Sequence, residues 1–173
     1  MYEKILVPLD GSALAEKVLP YVQALAEKFG SAVILLRATL TPDELVPPTG
    51  MGMPMGDMGA YGTMMTPGSV EDYETLMNAE KSETVTYLDS VVAPLKASGV
   101  NVTSEQVEGH AADVIVDRAA AQSVGLVAMT THGRSGLARA LVGSVADEIV
   151  RRVTCPVLLI RVSDKDLKAE PKS

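Results

Sequence analysis

The strongest structural signal in this sequence is the stretch GLVAMTTHG at residues 125–133. After nine intervening residues it is followed by the pair Gly143-Ser144. Residues 125–129 form a short apolar run, which is typical of a strand buried on both faces of a parallel sheet. Ser144 and Asp147 have the Ser-x-x-Asp spacing of a capping signal, which predicts that a helix begins there. The stretch therefore predicts a strand, a glycine-containing loop and an amphipathic helix, in that order.

A loop of this kind can bind an anion. The backbone N–H groups of the first helical turn have no partner within the helix and lie at the positive end of its dipole. Phosphate is a natural ligand for such groups. Gly133 and Gly143 would let the backbone approach a phosphate without a Cβ in the way, and would allow a positive φ where the loop turns. The alternative is that the loop only ends the strand.

The rest of the chain alternates between strand and helix patterns, as judged from the spacing of its apolar residues. The predicted strands cover residues 3–8, 32–37, 100–107, 125–129 and 156–162, and the predicted helices cover residues 14–29, 69–97, 111–123 and 144–153. This alternation predicts a doubly wound α/β fold, with a five-stranded parallel sheet and helices on both faces.

Composition narrows the functional class. A chain of 173 residues with 47% hydrophobic residues can bury one core, so we predict a single α/β domain over residues 1–162. A net charge of −7 and 3% aromatic residues argue against nucleic-acid binding, which relies on cations and stacking rings. The single cysteine and the lack of an apolar run of roughly 18 residues predict a cytoplasmic protein that binds no membrane. The charged tail at residues 163–173 is expected to be disordered.

Both ends of the predicted domain resemble a known family. The segment KILVPLDGS at residues 4–12 resembles the first strand and following turn of the universal stress protein family. The segment TCPVLLIR at residues 154–161 resembles the last strand of that family. The resemblance covers residues 2–40 and roughly residues 80–162.

The ATP-binding branch of this family carries the motif Gly-x2-Gly-x9-Gly-Ser/Thr. In this chain the motif falls on Thr130, Gly133, Gly143 and Ser144. Thr130 therefore stands where the family has its first glycine. A register that begins at Gly133 and Gly136 would leave six residues before Gly143 and break the spacing.

The resemblance implies the strand order 3-2-1-4-5, with a Rossmann-like crevice at the carboxyl ends of strands one and four. Asp10 and Gly133 would meet in that crevice. We expect the carboxylate of Asp10 to bind a ribose hydroxyl or Mg²⁺. The alternative is that Asp10 caps the first helix, a role for which Ser12 competes.

The resemblance also implies where adenine would lie. Ala38 falls at the position of a backbone contact with the base, and Pro8 and Leu9 would line the adenine side. The alternatives are an ordinary strand end at Ala38 and plain core packing at Pro8 and Leu9.

The remaining candidate binding residues are Met129, Thr130, His132, Gly133, Arg134, Gly143, Ser144 and Val145. Backbone N–H groups would supply most of the phosphate contacts, while Ser144 would offer a hydroxyl or only cap the helix. Arg134 and Arg139 would neutralise phosphate charge or remain solvated. His132 has the chemistry of a general base, but we interpret it as shaping the loop. No catalytic residue and no metal site are predicted.

Residues 41–68 are rich in methionine, glycine and proline. A loop of this length inside a compact domain is uncommon. Methionine side chains form adaptable apolar surface and also suit soft metal ions. The segment is therefore interpreted as an insertion that serves as a mobile lid or a surface for a protein partner, with plain disorder and soft-metal binding as alternatives.

These observations predict a stress-response binding module that holds ATP, AMP or ADP as a regulatory ligand, with Mg²⁺ as an optional companion. The predicted homodimer forms through residues 156–162, because an apolar strand at a sheet edge favours pairing with another chain. One alternative is a slow ATPase or nucleotidyl-transfer enzyme. The other is a nucleotide-free dimeric interaction protein, which the threonine at position 130 favours.

Overall fold

Five parallel strands form a single sheet in the computed structural model, which describes residues 2–39, 70–131 and 143–161. The strands are β1 (Lys4–Pro8), β2 (Ala32–Thr39), β3 (Val102–Glu108), β4 (Leu126–Thr130) and β5 (Val157–Ile160). Their order is β3-β2-β1-β4-β5. The predicted fold class and strand order are confirmed.

Helices cover both faces of the sheet. They are α1 (Ala13–Glu16), α2 (Leu19–Phe29), α3 (Val70–Ala97), α4 (Ala111–Ala121) and α5 (Ser144–Arg152). Ile5 and Val7 of β1 pack with α1, α2 and α3 on one face, whereas Leu6 packs with α4 and α5 on the other. Alternation along a strand sends successive side chains to opposite faces, which explains why β1 is apolar at every central position.

The first predicted helix is wrong in one respect. The sequence predicts one helix over residues 14–29, but the structure has two, α1 and α2. Pro20 lies in the first turn of α2, where its missing N–H costs no helical hydrogen bond. The break changes which residues face the core. Val22 is buried, whereas Tyr21 and Phe29, which the apolar spacing over residues 14–29 predicts to be buried, are each 53% exposed.

The apolar spacing over residues 69–97 predicts that Val85, Leu88, Val92 and Leu95 of α3 face the core, and the structure differs at one of these positions. Leu88, Val92 and Leu95 are buried as expected, but Val85 is 52% exposed. Thr84 is fully buried in its place. Val91 is also buried, so the face is centred on residues 84, 88, 91 and 95, and Val85 lies at its edge.

The connections after β1 and β4 diverge at the carboxyl edge of the sheet. Strand β1 leads into α1 on one face, whereas β4 precedes α5 on the other face. Since β1 and β4 are neighbours in the sheet, their divergence opens the crevice in which ligands of doubly wound folds bind.

Two predicted segments, the insertion at residues 41–68 and the tail at residues 163–173, lie outside the described residues. None of the helices in the described part of the chain is long and apolar enough to cross a membrane.

Candidate functional site

A cavity of about 130 Å³ lies at the carboxyl edge of the sheet, between the ends of β1, β2 and β4 and the starts of α4 and α5. Its lining residues are Pro8, Leu9, Asp10, Ala15, Leu36, Ala38, Ala111, Ile115, Met129, Thr130, Thr131, Val145 and Ala146. The lining is mostly apolar, and Asp10 is its one ionisable side chain among the described residues. The cavity can therefore hold a flat apolar group with a polar end.

The structure brings most of the described candidate residues to this cavity. Pro8, Leu9, Asp10, Ala38, Met129, Thr130 and Val145 line it. Gly143 and Ser144 lie at the start of α5 and are not part of the lining. The candidates His132, Gly133 and Arg134 lie outside the described residues, as does Arg139.

Asp10 begins a tight turn that leads from β1 into α1. Its Oδ1 accepts hydrogen bonds from the Ser12 backbone N–H at 3.0 Å and from the Ser12 hydroxyl at 2.7 Å. Ser12 is the N-cap of α1, and its Oγ accepts from the Ala15 N–H at 3.1 Å. The alternative role of Asp10 as the helix cap is therefore wrong, because Ser12 occupies that position and Asp10 holds Ser12 in place.

The turn requires a glycine at position 11. Gly11 has a φ of 84°, a left-handed conformation in which a Cβ is strained. This conformation reverses the chain directly after β1 and leaves the Asp10 carboxylate half-buried at the rim of the cavity.

Ala38 lies in the part of β2 that extends beyond the end of β1. In a parallel sheet, the N–H and C=O of one residue point to the same neighbouring strand, and successive residues alternate between neighbours. The C=O of Leu36 points towards β1, where it accepts from the Leu9 N–H at 2.9 Å, and the C=O of Thr39 points towards β3, where it accepts from the Gly109 N–H at 3.0 Å. By this alternation, both peptide groups of Ala38 point to the β1 side, beyond the last residue of β1 and into the cavity.

The start of α5 differs from the prediction. Gly143 is the N-cap, with φ −68° and ψ 159°, and no side chain caps the helix. Ser144 is already the first helical residue, so the predicted capping role of Ser144 and the predicted positive φ of Gly143 are both wrong. The reason is a 2.6 Å hydrogen bond from the Gly143 N–H to the Thr131 carbonyl, which ties residue 143 to the end of β4 in an extended conformation.

Three N–H groups at this helix start have no acceptor within α5. The first intrahelical bond runs from the Asp147 N–H to the Gly143 carbonyl, so the N–H groups of Ser144, Val145 and Ala146 precede the helical ladder. Val145 and Ala146 line the cavity. The positive end of the α5 dipole therefore faces this edge of the sheet.

Sequence reasoning missed several lining residues. They are Ala15, Leu36, Ala111, Ile115, Thr131 and Ala146. Ala111 and Ile115 are one turn apart on α4, and nothing in their pattern separates a cavity-facing alanine from a core alanine. Thr131 could have been found, because it follows β4 directly and is as buried as Thr130.

No group of three or more histidine, cysteine, aspartate or glutamate side chains is arranged to hold a metal ion in the part of the chain that the structure describes.

Comparisons with known proteins point to one family. The model of the Universal stress protein family matches residues 1–161. Universal stress protein MJ0577 of Methanocaldococcus jannaschii is 29% identical over 162 residues, which are 93% of this chain and 96% of that protein. Universal stress protein MJ0531 of the same organism is 27% identical over 166 residues, 96% of this chain and 86% of that protein.

Solved structures give the same result. The structure of MJ0577 has a TM-score of 0.76 at 26% identity and covers 95% of this chain and 99% of its own. A universal stress protein in complex with cAMP has a TM-score of 0.61 at 18% identity, covering 94% of this chain and 98% of its own. A family member from Arabidopsis thaliana with AMP bound has a TM-score of 0.60 at 17% identity, covering 94% of both chains.

Proposed function

The chain belongs to the universal stress protein family, and we propose that it binds an adenine nucleotide at the carboxyl edge of its sheet as a regulatory ligand. The observation that carries this proposal is the direction of the Ala38 peptide groups into a mostly apolar cavity. Two structural neighbours, described with cAMP and with AMP bound, lend support because both ligands contain adenine. The cytoplasmic location expected from the sequence stays a prediction.

The adenine base fits the inner end of the cavity. Its N6 amino group would donate to the Ala38 carbonyl, and its N1 would accept from the Ala38 N–H, as the next strand of the sheet would. Leu9, Ile115 and Met129 supply apolar contacts around the ring plane. Backbone recognition of this kind favours adenine, because hypoxanthine and guanine present the donor and the acceptor in the opposite order.

The ribose would lie next to Asp10. The carboxylate stands at the rim of the cavity, where it could accept a hydrogen bond from a ribose hydroxyl or bind Mg²⁺ that accompanies the phosphates. Thr130, which replaces the first glycine of the family motif, is buried beside it in the lining.

The phosphates would lie outside the cavity, near the start of α5. A volume of about 130 Å³ is smaller than the roughly 300–1,000 Å³ typical of pockets for whole ligands. The N–H groups of Ser144, Val145 and Ala146 and the α5 dipole would attract the negative charge. The roles predicted for Gly133, Arg134 and His132 remain predictions, and the choice among ATP, ADP and AMP depends on that loop.

AMP should bind at least about tenfold more tightly than IMP, because IMP leaves the two Ala38 groups facing a mismatched base edge. Calorimetric titration of one protein preparation with both nucleotides measures the difference. IMP is a matched control, since its ribose and phosphate are those of AMP. Equal affinity for the two would show that Ala38 does not read the base, and no binding of either would contradict the proposed function.

Turnover of ATP is not part of this proposal. Hydrolysis needs a positioned water and a group that takes its proton. Asp10 is the ionisable side chain among the described lining residues, and its Oδ1 already accepts two hydrogen bonds from Ser12. The ligand would therefore act as a bound signal rather than as a substrate.

Phosphate release from saturating ATP should be no faster than roughly 10⁻⁴ per second, the scale of an unassisted GTPase site. A coupled phosphate assay on the preparation used for calorimetry tests this. Rapid release that either Asp10→Asn or His132→Ala abolishes would assign the protein to the enzymes.

We further propose a homodimer through β5. The strand lies at one edge of the sheet, and its residues Val157–Ile160 are apolar and only half-buried. An edge strand of this kind favours pairing with another chain. Antiparallel pairing of two β5 strands would give a closed two-fold dimer.

Leu158→Lys should convert the dimer to a monomer, because the substitution introduces a charge into the proposed contact. Thr103→Lys is the matched control, since Thr103 is exposed on β3 at the opposite edge of the sheet. Light scattering during gel filtration gives the mass of each variant, and a thermal melt verifies that each is folded. A wild-type monomer at micromolar concentration, or a dimer that survives Leu158→Lys, would overturn the proposal.

A further inference from the structure

Arg37 precedes Ala38 on β2, and its side chain lies on the α3 face of the sheet without lining the cavity. Its guanidinium stacks over the ring of Tyr87 in α3, with 5.2 Å between Cζ and the ring centroid. A cation over an aromatic face is an attractive arrangement, and partial burial strengthens it. Arg37 and Tyr87 therefore join β2 to α3 at the carboxyl edge of the sheet.

The same guanidinium lies directly against Gly11. A methyl group added at Gly11 would collide with Nη1 of Arg37 and would come within 3.2 Å of Cζ. The planar guanidinium thus supports the turn that carries Asp10. Gly11 is needed here both for its positive φ and for this close approach.

Charged groups around Tyr87 place Asp10 in the same cluster. Burial raises the pKa of the Tyr87 hydroxyl, and the carboxylates of Glu16 and Asp10 act in the same direction, while Arg37 opposes them. Two carboxylates, one guanidinium and one neutral phenol therefore meet behind the turn.

We propose that Arg37 is a positioning residue for the nucleotide site, which supports the turn at residues 10–12 and so fixes the Asp10 carboxylate at the rim of the cavity. The inference rests on the proposed function, in which Asp10 accepts a hydrogen bond from the ribose. Arg37 itself is not part of the cavity lining, so it would act on the ligand only through Asp10. Removing the guanidinium would leave the glycine turn without support on this side and let the carboxylate sample other orientations.

The first test compares Arg37→Met with wild type in EDTA, using AMP and 2′,3′-dideoxy-AMP as ligands. Methionine keeps an unbranched apolar stem and lacks the guanidinium. Calorimetry should show about a tenfold loss of affinity for AMP, and less than a twofold loss for the dideoxy analogue, which cannot use Asp10. Arg118→Met is the matched control. Arg118 lies on α4, is not part of the cavity lining and forms an ion pair with Glu105 at 3.7 Å. Its substitution should change the affinity for neither ligand.

Equal losses for the two ligands in Arg37→Met would mean a general structural role and would overturn the inference, as would an unchanged affinity for AMP. Arg37→Lys keeps the charge without the planar group, and its affinity for AMP should lie between those of Arg37→Met and wild type. A double-mutant cycle with Asp10→Asn should show that the two losses are not additive. Additive losses would also overturn the inference.

A second measurement needs no nucleotide. The Ser12 N–H donates to Asp10 Oδ1 at 3.0 Å, so amide hydrogen exchange at Ser12 reports on the turn. Exchange at Ser12 should be at least about tenfold faster in Arg37→Met, while the Leu9 N–H, bonded to the Leu36 carbonyl, keeps its rate. If wild type binds no AMP, the proposed function fails, and unchanged exchange at Ser12 would separately refute the support by Arg37.

Discussion

Peptide groups inside a parallel sheet pair with both neighbouring strands, and at the carboxyl end of β1 this pairing stops while β2 continues. Strand β1 makes its last bond to β2 through the Leu9 N–H, whereas β2 continues to Thr39. The next residue of β2 that faces β1, Ala38, therefore presents a donor and an acceptor to a crevice. The pairing of β1 with β4 ends at Leu6 and Val127, and β4 continues alongside β5, so no described strand occupies that crevice. Under the proposed function, a planar base with a complementary edge would restore the missing pairing.

The turn after β1 sets the polar end of the same crevice. Ser12 caps α1 and holds Asp10, while Gly11 adopts the left-handed conformation that brings the carboxylate to the rim. Arg37 lies against Gly11 in this turn, and its guanidinium stacks over Tyr87 of α3. The turn at the edge of the candidate site is thus in contact with a strand and a long helix. Rigid support of this kind lowers the entropy that ligand binding must overcome.

Much of the architecture is predictable from sequence, because apolar periodicity reports burial directly. Prediction of the strand order depends on the family resemblance, since apolar periodicity alone does not show which strands are neighbours. Asp10 is predictable because it follows the apolar run of β1, whereas the role of Ala38 depends on the family resemblance. Arg37 could not be predicted, because its role arises from contacts with Gly11 and Tyr87, which are far away in sequence. The capping signal at Ser144 failed for a similar reason: a bond from Gly143 to the end of β4 decides where α5 begins.

The central claim is that backbone groups at the carboxyl edge of the sheet hold an adenine nucleotide. Titration of ¹⁵N-labelled protein with AMP, followed by amide chemical shifts, tests this most directly. The account predicts saturable shifts at Ala38, Ser144 and Val145, with little change at Lys4 and Ala32, which begin β1 and β2 at the opposite edge of the sheet. An Ala38 amide that does not shift at saturating AMP, or saturable shifts that cluster away from this edge, would contradict it.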